Sequence, residues 1–112
     1  MNKTLVLTKE YPPHVYGGAG VHVENLTREL AKLTDVEVRC FGEQSVREDG
    51  VPEAHGFSID DARLADLDPK LRKAVDPLAV NLEMISQPID ASLVHCHTWY
   101  SMMAGVWAKE LY

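Results

Sequence analysis

The chain has 112 residues, 46% of them apolar, and a formal charge of −6 from 17 acidic and 11 basic side chains. This composition is typical of one small globular domain and argues against a disordered or membrane-spanning chain. Lysine and arginine form no basic stripe, so nucleic acid is not an expected partner. Two cysteines make no disulfide framework, and the short apolar start is no signal peptide, so we expect a cytoplasmic protein.

The first 41 residues predict strand, loop, helix and strand in that order. The continuous apolar run Thr4–Leu7 is typical of a parallel strand covered on both faces. Alternation over Val36–Phe41 predicts a second strand with one less buried face. Between them, residues 21–33 predict a helix, and the two strands and the helix form one right-handed βαβ unit. The apolar residues at helical spacing are Val23, Leu26, Leu30 and Leu33.

The middle of the chain carries weaker patterns. Gly42–Gly56 is polar and turn-rich and predicts a loop, and Phe57–Ile59 predicts a short strand. A helix follows, in which Pro77 would cause a kink or begin a fresh helix with Asp76 as its N-cap. The apolar residues with helical period there are Leu71, Val75, Leu78, Leu82 and Ile85.

The end of the chain predicts a strand over Ala91–His97 and a helix over Tyr100–Tyr112. The alternating order of strands and helices predicts an α/β fold with a doubly wound, Rossmann-like parallel sheet. Because a helix with no following strand leaves such a sheet unfinished, we expect residues 1–112 to be the front part of a longer protein.

The segment Glu10–Gly20, "EYPPHVYGGAG", is termed the glycine loop. It follows the first strand and precedes the first helix, where α/β folds bind ligands and where free helix N–H groups attract phosphate. Gly17, Gly18 and Gly20 carry no side chain to block a ligand, and the helix has no obvious N-cap residue. The loop matches neither G-x-G-x-x-G nor the P-loop, so a plain turn whose N–H groups meet water stays open as the alternative.

Two histidines flank a cysteine at the end of the last strand. His95 and His97 share one face of the strand and Cys96 faces the other, an arrangement that disfavours one zinc ion bound by all three. We therefore expect no metal, and spacing selects no further ligand from the remaining histidines. His95 is expected to be a hydrogen-bonded core residue and Cys96 a small buried one, with Trp99 and Tyr100 as packing residues. His97, at the strand's carboxyl tip, is the functional candidate. The remaining histidines are His14, His22 and His55.

Two segments in this order, "KEYPPHVYGGAGVHVENLTREL" and "LVHCHTWYSMMAGVWAK", resemble the N-terminal part of bacterial glycogen synthases and related retaining glycosyltransferases of the GT-B fold. The resemblance implies that residues 1–112 belong to the acceptor-side Rossmann-like domain. The second domain, which would hold the nucleotide-sugar, is absent from this chain. It also implies that Gly17 and Gly18 approach the donor diphosphate, that Gly20 supports the helix start, and that His97 contacts the donor sugar near the reacting carbon.

The chain departs from the family pattern at two places. Val15 and Tyr16 replace a lysine that often precedes the glycine pair, and Thr98 replaces an aspartate that follows the histidine. Both changes suit the actinobacterial-type branch, which includes maltose-1-phosphate-forming enzymes. Glu10, Tyr16 and Thr98 are candidates for binding the acceptor or supporting the loop.

The function that the resemblance implies is glycogen biosynthesis: transfer of glucose from ADP-glucose, or UDP-glucose, to an α-1,4-glucan with retention and without a cofactor. A maltose-1-phosphate synthase with glucose 1-phosphate as acceptor is the alternative. In both cases we expect the isolated chain to be inactive, because half of the active cleft is missing.

A non-catalytic flavodoxin-like or receiver-like binding domain is the rival from another class. Receiver-type phosphorylation would require an acidic cluster at the strand tips, for which Asp60 and Asp61 are the nearby candidates.

Overall fold

Residues 2–59 and 64–112, which the computed structural model describes, build a five-stranded sheet in the order β3-β4-β2-β1-β5. All neighbouring strands are parallel except β3, which runs antiparallel to β4. The predicted doubly wound sheet is confirmed. Its elements are β1 (Lys3–Leu7), α1 (Gly18–Leu30), β2 (Asp35–Phe41), β3 (Ser45–Val46), β4 (Glu53–Phe57), α2 (Pro69–Ser86), β5 (Leu93–Cys96) and α3 (Trp99–Leu111).

Helices cover the two faces of the sheet over separate apolar cores. On β1, Leu5 and Leu7 pack against α2 and α3, while Val6 faces α1. All three are almost completely buried, as the continuous apolar run predicts. The α1 side is built from β1, β2, β4, Tyr11 and α1, with the edge strand β5 outside it.

Strand β2 differs from its prediction, because both of its faces are buried. Two charged side chains point into the α2 side, where the Arg39 Nε lies 2.6 Å from Glu37 Oε2. The Arg39 guanidinium also donates to the carbonyl oxygens of Met84 (2.6 Å), Gln87 (3.0 Å) and Pro88 (2.7 Å). Arginine thereby binds the carbonyls at the end of α2, which helix geometry leaves unpaired. Glu37 and Arg39, which alternate with apolar residues in this strand, therefore form a buried ion pair and do not mark a less buried face.

Helix α1 begins three residues earlier than predicted and ends at Leu30. Leu33 consequently lies beyond the helix and is 85% exposed, so its place in the apolar stripe was wrong. The buried face includes a polar residue, Thr27, whose hydroxyl lies 2.9 Å from that of Tyr11. A hydroxyl that has a hydrogen-bond partner can occupy a core position where helical spacing predicts an apolar side chain.

Helix α2 is one continuous helix through Pro77, capped at its start by Asp68, whose carboxylate accepts from the Lys70 N–H. The predicted fresh start at Asp76 is wrong, since Asp76 instead pairs with Arg72. The predicted apolar face is also wrong in large part. Exposed members of that stripe are Leu71, Leu78 and Leu82, whereas the buried residues are Pro77, Val80, Asn81, Met84 and Ile85.

Buried Asn81 explains why α2 turns a different face to the sheet. Its amide nitrogen donates to the carbonyls of Pro77 (2.7 Å) and Tyr100 (2.6 Å), and its oxygen accepts from the Ala104 N–H (2.8 Å). One side chain therefore joins α2 to α3 by hydrogen bonds. A prediction based on the spacing of apolar residues does not identify a polar residue that is buried through hydrogen bonds.

The predicted loop 42–56 contains β3 and most of β4. The strand predicted at 57–59 is wrong except at Phe57, because β4 runs from Glu53 to Phe57. Gly56 makes this pairing possible, since a Cβ there would lie 2.5 Å from the Gln44 backbone nitrogen. Gly56, a residue type that usually indicates a turn, therefore allows β4 to pack closely against the backbone of residues 42–44.

Strand β5 and helix α3 leave an apolar groove of about 820 Å³ at the other edge. Its exposed apolar residues include Leu93, Met102, Val106 and Tyr112. Over the described residues, no helix combines the length and apolar content that a membrane crossing demands. The groove at this edge is one of the apolar surfaces that the described fold leaves uncovered.

The buried ion pair yields a stability prediction. Arg39→Ala should lower the free energy of unfolding by about 3–5 kcal/mol, because it leaves three carbonyls without their partner and the Glu37 carboxylate with only its ion pair to Lys3. Urea denaturation measures the change. Arg47→Ala, which removes an exposed ion pair with Glu53, serves as the control and should have a far smaller effect. Equal effects of the two substitutions would show that the Arg39 contacts contribute little.

Candidate functional site

The chain leaves β1 toward β2 on one side and returns through β5 on the other. This makes the carboxyl end of β1 and β5 a topological switch point, where open α/β sheets bind ligands. The His97 N–H donates to the Leu7 carbonyl at 2.9 Å, and the Ser101 hydroxyl donates to the same oxygen at 3.0 Å. These bonds bring the two segments of the resemblance to one edge of the sheet.

A cleft of about 240 Å³ lies between them and is termed the switch-point cleft. The glycine loop and the start of α1 form one side, and the turn between β5 and α3 forms the other. It is lined by Thr8, Lys9, Glu10, Ala19, Thr98 and Tyr100.

The glycine loop is anchored at both of its ends. The carbonyl of buried Tyr11 accepts from the Gln44 side-chain amide at 3.0 Å, and a cis peptide joins Pro12 to Pro13. At the far end, the Glu10 carboxylate accepts from the backbone N–H of Tyr16 and from that of Gly17, at 3.1 Å for the latter. The Tyr16 side chain is 84% exposed, so its backbone rather than its ring supports the loop.

The three loop glycines have two different environments. A Cβ on Gly20 would lie 2.9 Å from both Glu10 Cβ and Val15 Cγ1, so close packing requires glycine there. A Cβ on Gly17 or Gly18 would meet nothing within 4 Å among the described residues. Neither has a positive φ, so open space rather than backbone conformation distinguishes them. They are the positions at which a ligand could approach the backbone.

Two helices begin beside the switch-point cleft, and in neither does the side chain of the N-cap residue accept a hydrogen bond from the first turn. The N-cap positions are Gly17 for α1 and Thr98 for α3, and neither helix has an acid in its first turn. The first N–H groups of a helix lack internal partners and carry the positive end of the dipole. The arrangement suits a negatively charged ligand.

Thr98 has φ 65° and ψ 164°, a conformation that residues other than glycine adopt only under strain. Such strain costs about 1–3 kcal/mol and concentrates at functional sites. Here it falls immediately after His97, at the edge of the switch-point cleft.

Three histidine rings meet at this edge. The ring of His97 lies 4.3 Å from that of His95 and 5.8 Å from that of His22 on α1, between centroids. The His97 Nε2 is buried without a hydrogen-bond partner in the part of the chain that is described. Burial lowers the pKa of His97, and the neighbouring His95 and His22 lower it further. His97 is thus a neutral imidazole with one buried nitrogen that lacks a hydrogen-bond partner among the described residues.

The opposite orientation of Cys96 is confirmed, because its sulfur packs against Gly105 of α3. Burial raises the pKa of this thiol, which makes it a poor nucleophile or metal ligand. His95, expected in the core, is exposed, since the α1-side core does not extend over edge strand β5. Within residues 2–59 and 64–112, no three His, Cys, Asp or Glu side chains are grouped to hold a metal.

The other candidates lie apart or outside the description. His55 on β4 pairs with Glu53 at 2.7 Å, and His14 lies in the glycine loop. Asp60 and Asp61 fall outside the described residues. His22 was missed as a site residue, although its position one turn after the glycine pair could have indicated that it faces the same edge.

Trp99, expected to be packing, is 53% exposed and stacks on Tyr100 with ring centroids 4.2 Å apart. Lys9 Nζ lies 4.1 Å from the centre of the Tyr100 ring. These three residues adjoin a second space of about 870 Å³, termed the large cleft, which Lys73 and Val80 of α2 also line. The large cleft offers aromatic and cationic surface next to the switch-point cleft.

A family model, Glycosyltransferase Family 4, matches residues 16–111. The chain is 42% identical over 113 residues to an alpha-maltose-1-phosphate synthase of Mycolicibacterium smegmatis, and it is 39% identical over 111 residues to one of Mycobacterium tuberculosis. Each alignment covers 98% of this chain and 26% of the relative, so the chain spans about a quarter of the curated relatives it matches. These matches confirm the predicted resemblance to GT-B glycosyltransferases.

The histidine cluster predicts a specific titration. His97 should titrate below the ordinary histidine value of 6.5, and His22→Ala should raise its pKa, because one nearby positive charge is removed. NMR titration of the ring protons measures both. His55→Ala, on a distant strand, is the control and should leave the pKa unchanged.

The same shift makes stability depend on pH. A histidine that binds its proton less readily when folded loses stabilisation as pH falls from about 6.5 toward the lowered folded pKa. The melting temperature of the wild type should therefore fall more than that of His97→Ala as pH decreases over this interval. A His97 pKa above 6.5, or one unaffected by His22→Ala, would contradict the electrostatic account.

Proposed function

Because the chain belongs to glycosyltransferase family 4, we propose that it is the acceptor-side part of an enzyme that transfers glucose from ADP-glucose to glucose 1-phosphate. The product would be maltose 1-phosphate, and the anomeric configuration would be retained. The observation that carries this proposal is the edge where β1 and β5 end side by side: the glycine loop follows one strand, His97 follows the other, and Glu10 and Thr98 from these two segments line the switch-point cleft.

The glycine loop would bind the donor diphosphate. Bond cleavage leaves negative charge on the diphosphate and positive charge on the sugar. N–H groups at the start of α1 are oriented before the reaction begins and would stabilise that negative charge. Gly17 and Gly18 leave the space for close approach, while Gly20 keeps the helix start in place.

His97 would contact the transferring glucose. Its Nε2 is buried without a partner, and a buried polar atom of this kind is costly unless a ligand satisfies it. A neutral imidazole can hydrogen-bond a sugar hydroxyl without adding a positive charge next to a carbon that becomes positive. The lowered pKa of His97 supports this role.

The names of the relatives support the phosphorylated acceptor over the glucan. Lys9 and Lys73 in the large cleft are suited to an anionic acceptor. Exposed Trp99 favours a second candidate acceptor, an α-1,4-glucan, since sugar rings pack on exposed aromatic faces. UDP-glucose is the alternative donor.

The remaining parts of the proposal concern the whole enzyme. A second domain would supply the nucleotide site, and its closure over the switch-point cleft would exclude water that hydrolyses the donor. The chain by itself would therefore be inactive. The enzyme would act in the cytoplasm.

Acceptor choice tests the proposed function. The full-length enzyme supplied with ADP-glucose should release ADP faster with glucose 1-phosphate than with glycogen, and mass spectrometry should detect a disaccharide phosphate. Faster reaction with glycogen would favour the glucan acceptor. If neither ADP-glucose nor UDP-glucose supports transfer to either acceptor, the proposal of glucosyl transfer is rejected.

His97→Ala tests the site within the same enzyme. Its kcat should fall about a hundredfold or more, the effect of losing roughly 2.7–4 kcal/mol of transition-state stabilisation, with ADP binding retained. His95→Ala is the matched control, because His95 is adjacent but exposed, and it should keep kcat within a few-fold. Initial rates at saturating donor and melting curves measure both variants. An active His97→Ala enzyme, or a loss explained wholly by unfolding, would refute the assignment.

A further inference from the structure

We propose that Glu10 is a positioning residue that holds the glycine loop in the conformation presenting Gly17 and Gly18 to the donor. The proposal rests on the proposed function for the identity of the donor, but the loop contacts themselves do not depend on it.

One carboxylate oxygen of Glu10, Oε1, accepts hydrogen bonds from the N–H groups of both Tyr16 and Gly17. These two residues immediately precede the helical residues of α1. Hydrogen bonds to a charged acceptor are stronger than neutral ones, and a carboxylate close to a helix N-terminus is favoured by the dipole. Glu10 therefore determines the path of the chain just before the helix begins.

The packing of Glu10 shows which side of the loop it occupies. Its Cβ and Oε1 lie 2.9 and 3.2 Å from the position that a Cβ of Gly20 would take. The backbone carbonyl of Glu10 accepts from the Thr8 hydroxyl at 3.2 Å, which ties the residue to the end of β1. Glu10 thus fills the space against Gly20, whereas the positions of side chains at Gly17 and Gly18 are open.

The glycines of the loop therefore have two different roles, close packing and ligand access. Gly20 is glycine because Glu10 and Val15 pack against it. The Gly17 N–H is bonded to Glu10, but no side chain packs against the Cβ positions of Gly17 and Gly18, so that side of both residues remains open to a ligand. The opposing possibility is that the Glu10 carboxylate occupies the anion position itself and competes with the diphosphate, in which case removing it would tighten donor binding.

The experiment compares Glu10→Ala, Glu10→Gln and Glu10→Asp in the full-length enzyme. Glu10→Ala removes both hydrogen bonds, and Glu10→Asp retracts the carboxylate by one methylene, whereas Glu10→Gln keeps an oxygen acceptor. Glu29→Ala is the matched control, because it removes an exposed carboxylate of α1 that pairs with Lys32 and does not hold the glycine loop.

Two readouts are expected to change together. Amide hydrogen exchange without ligand should accelerate about tenfold at Tyr16 and Gly17 in Glu10→Ala and Glu10→Asp, and stay near wild type in Glu10→Gln and Glu29→Ala. The donor KM should rise about tenfold in the first two variants with kcat within about twofold, since the loop binds the diphosphate in ground and transition states alike.

Each alternative outcome is decisive. Unchanged exchange at both amides in Glu10→Ala would overturn the proposal, and a lower donor KM would show that the carboxylate competes with the donor. If Glu10→Ala fails to fold, Glu10→Asp carries the same test. Faster exchange in an enzyme whose wild type uses no nucleotide-sugar would reject the proposed function and leave the positioning role of Glu10 in place.

Discussion

The hydrogen-bonded pairing of β1 with β5 is the constraint on which the candidate site depends. It aligns Leu7 with Cys96, so the chain segments that follow these residues emerge side by side. The glycine loop and His97 are about 80 residues apart in the sequence, and their proximity follows from this one strand contact. The helices after both strands then begin at the same edge, which places two helix N-termini, neither with a side-chain hydrogen bond from its N-cap residue, beside one cleft.

Buried polar groups have hydrogen-bond partners at the end of α2, whereas one at the switch-point edge has none among the described residues. At the end of α2, the Arg39 guanidinium binds three carbonyls and pairs with Glu37, and Asn81 joins α2 to α3. At the switch-point edge, the His97 Nε2 has no partner in the described chain, and Thr98 carries a strained backbone. The buried network stabilises the scaffold. Of the two buried side-chain atoms without a partner among the described residues, His97 Nε2 lies where a ligand is expected and Gln44 Oε1 lies beside Gly42.

The sequence predicted β1, β2, β5 and the three helices in their order, because apolar runs and helical periodicity report local structure directly, whereas turn-forming residues concealed β3 and most of β4. It failed where polar residues are buried. Thr27 and Asn81 occupy core positions through hydrogen bonds, so the faces inferred for α1 and α2 were partly wrong. The site residues came from strand-tip topology and the resemblance, whereas the approach of His22 and the Glu10 contacts depend on three-dimensional packing that periodicity does not encode.

The central claim is that the glycine loop and His97 face one donor molecule across the switch-point cleft. A crystal structure of the full-length enzyme with ADP-glucose bound tests it most directly. The account predicts a diphosphate oxygen about 2.7–3.2 Å from the backbone nitrogen of Gly18, together with a glucose hydroxyl in hydrogen-bond contact with the His97 imidazole. A donor bound with its diphosphate away from the glycine loop and its glucose out of contact with His97 would contradict it.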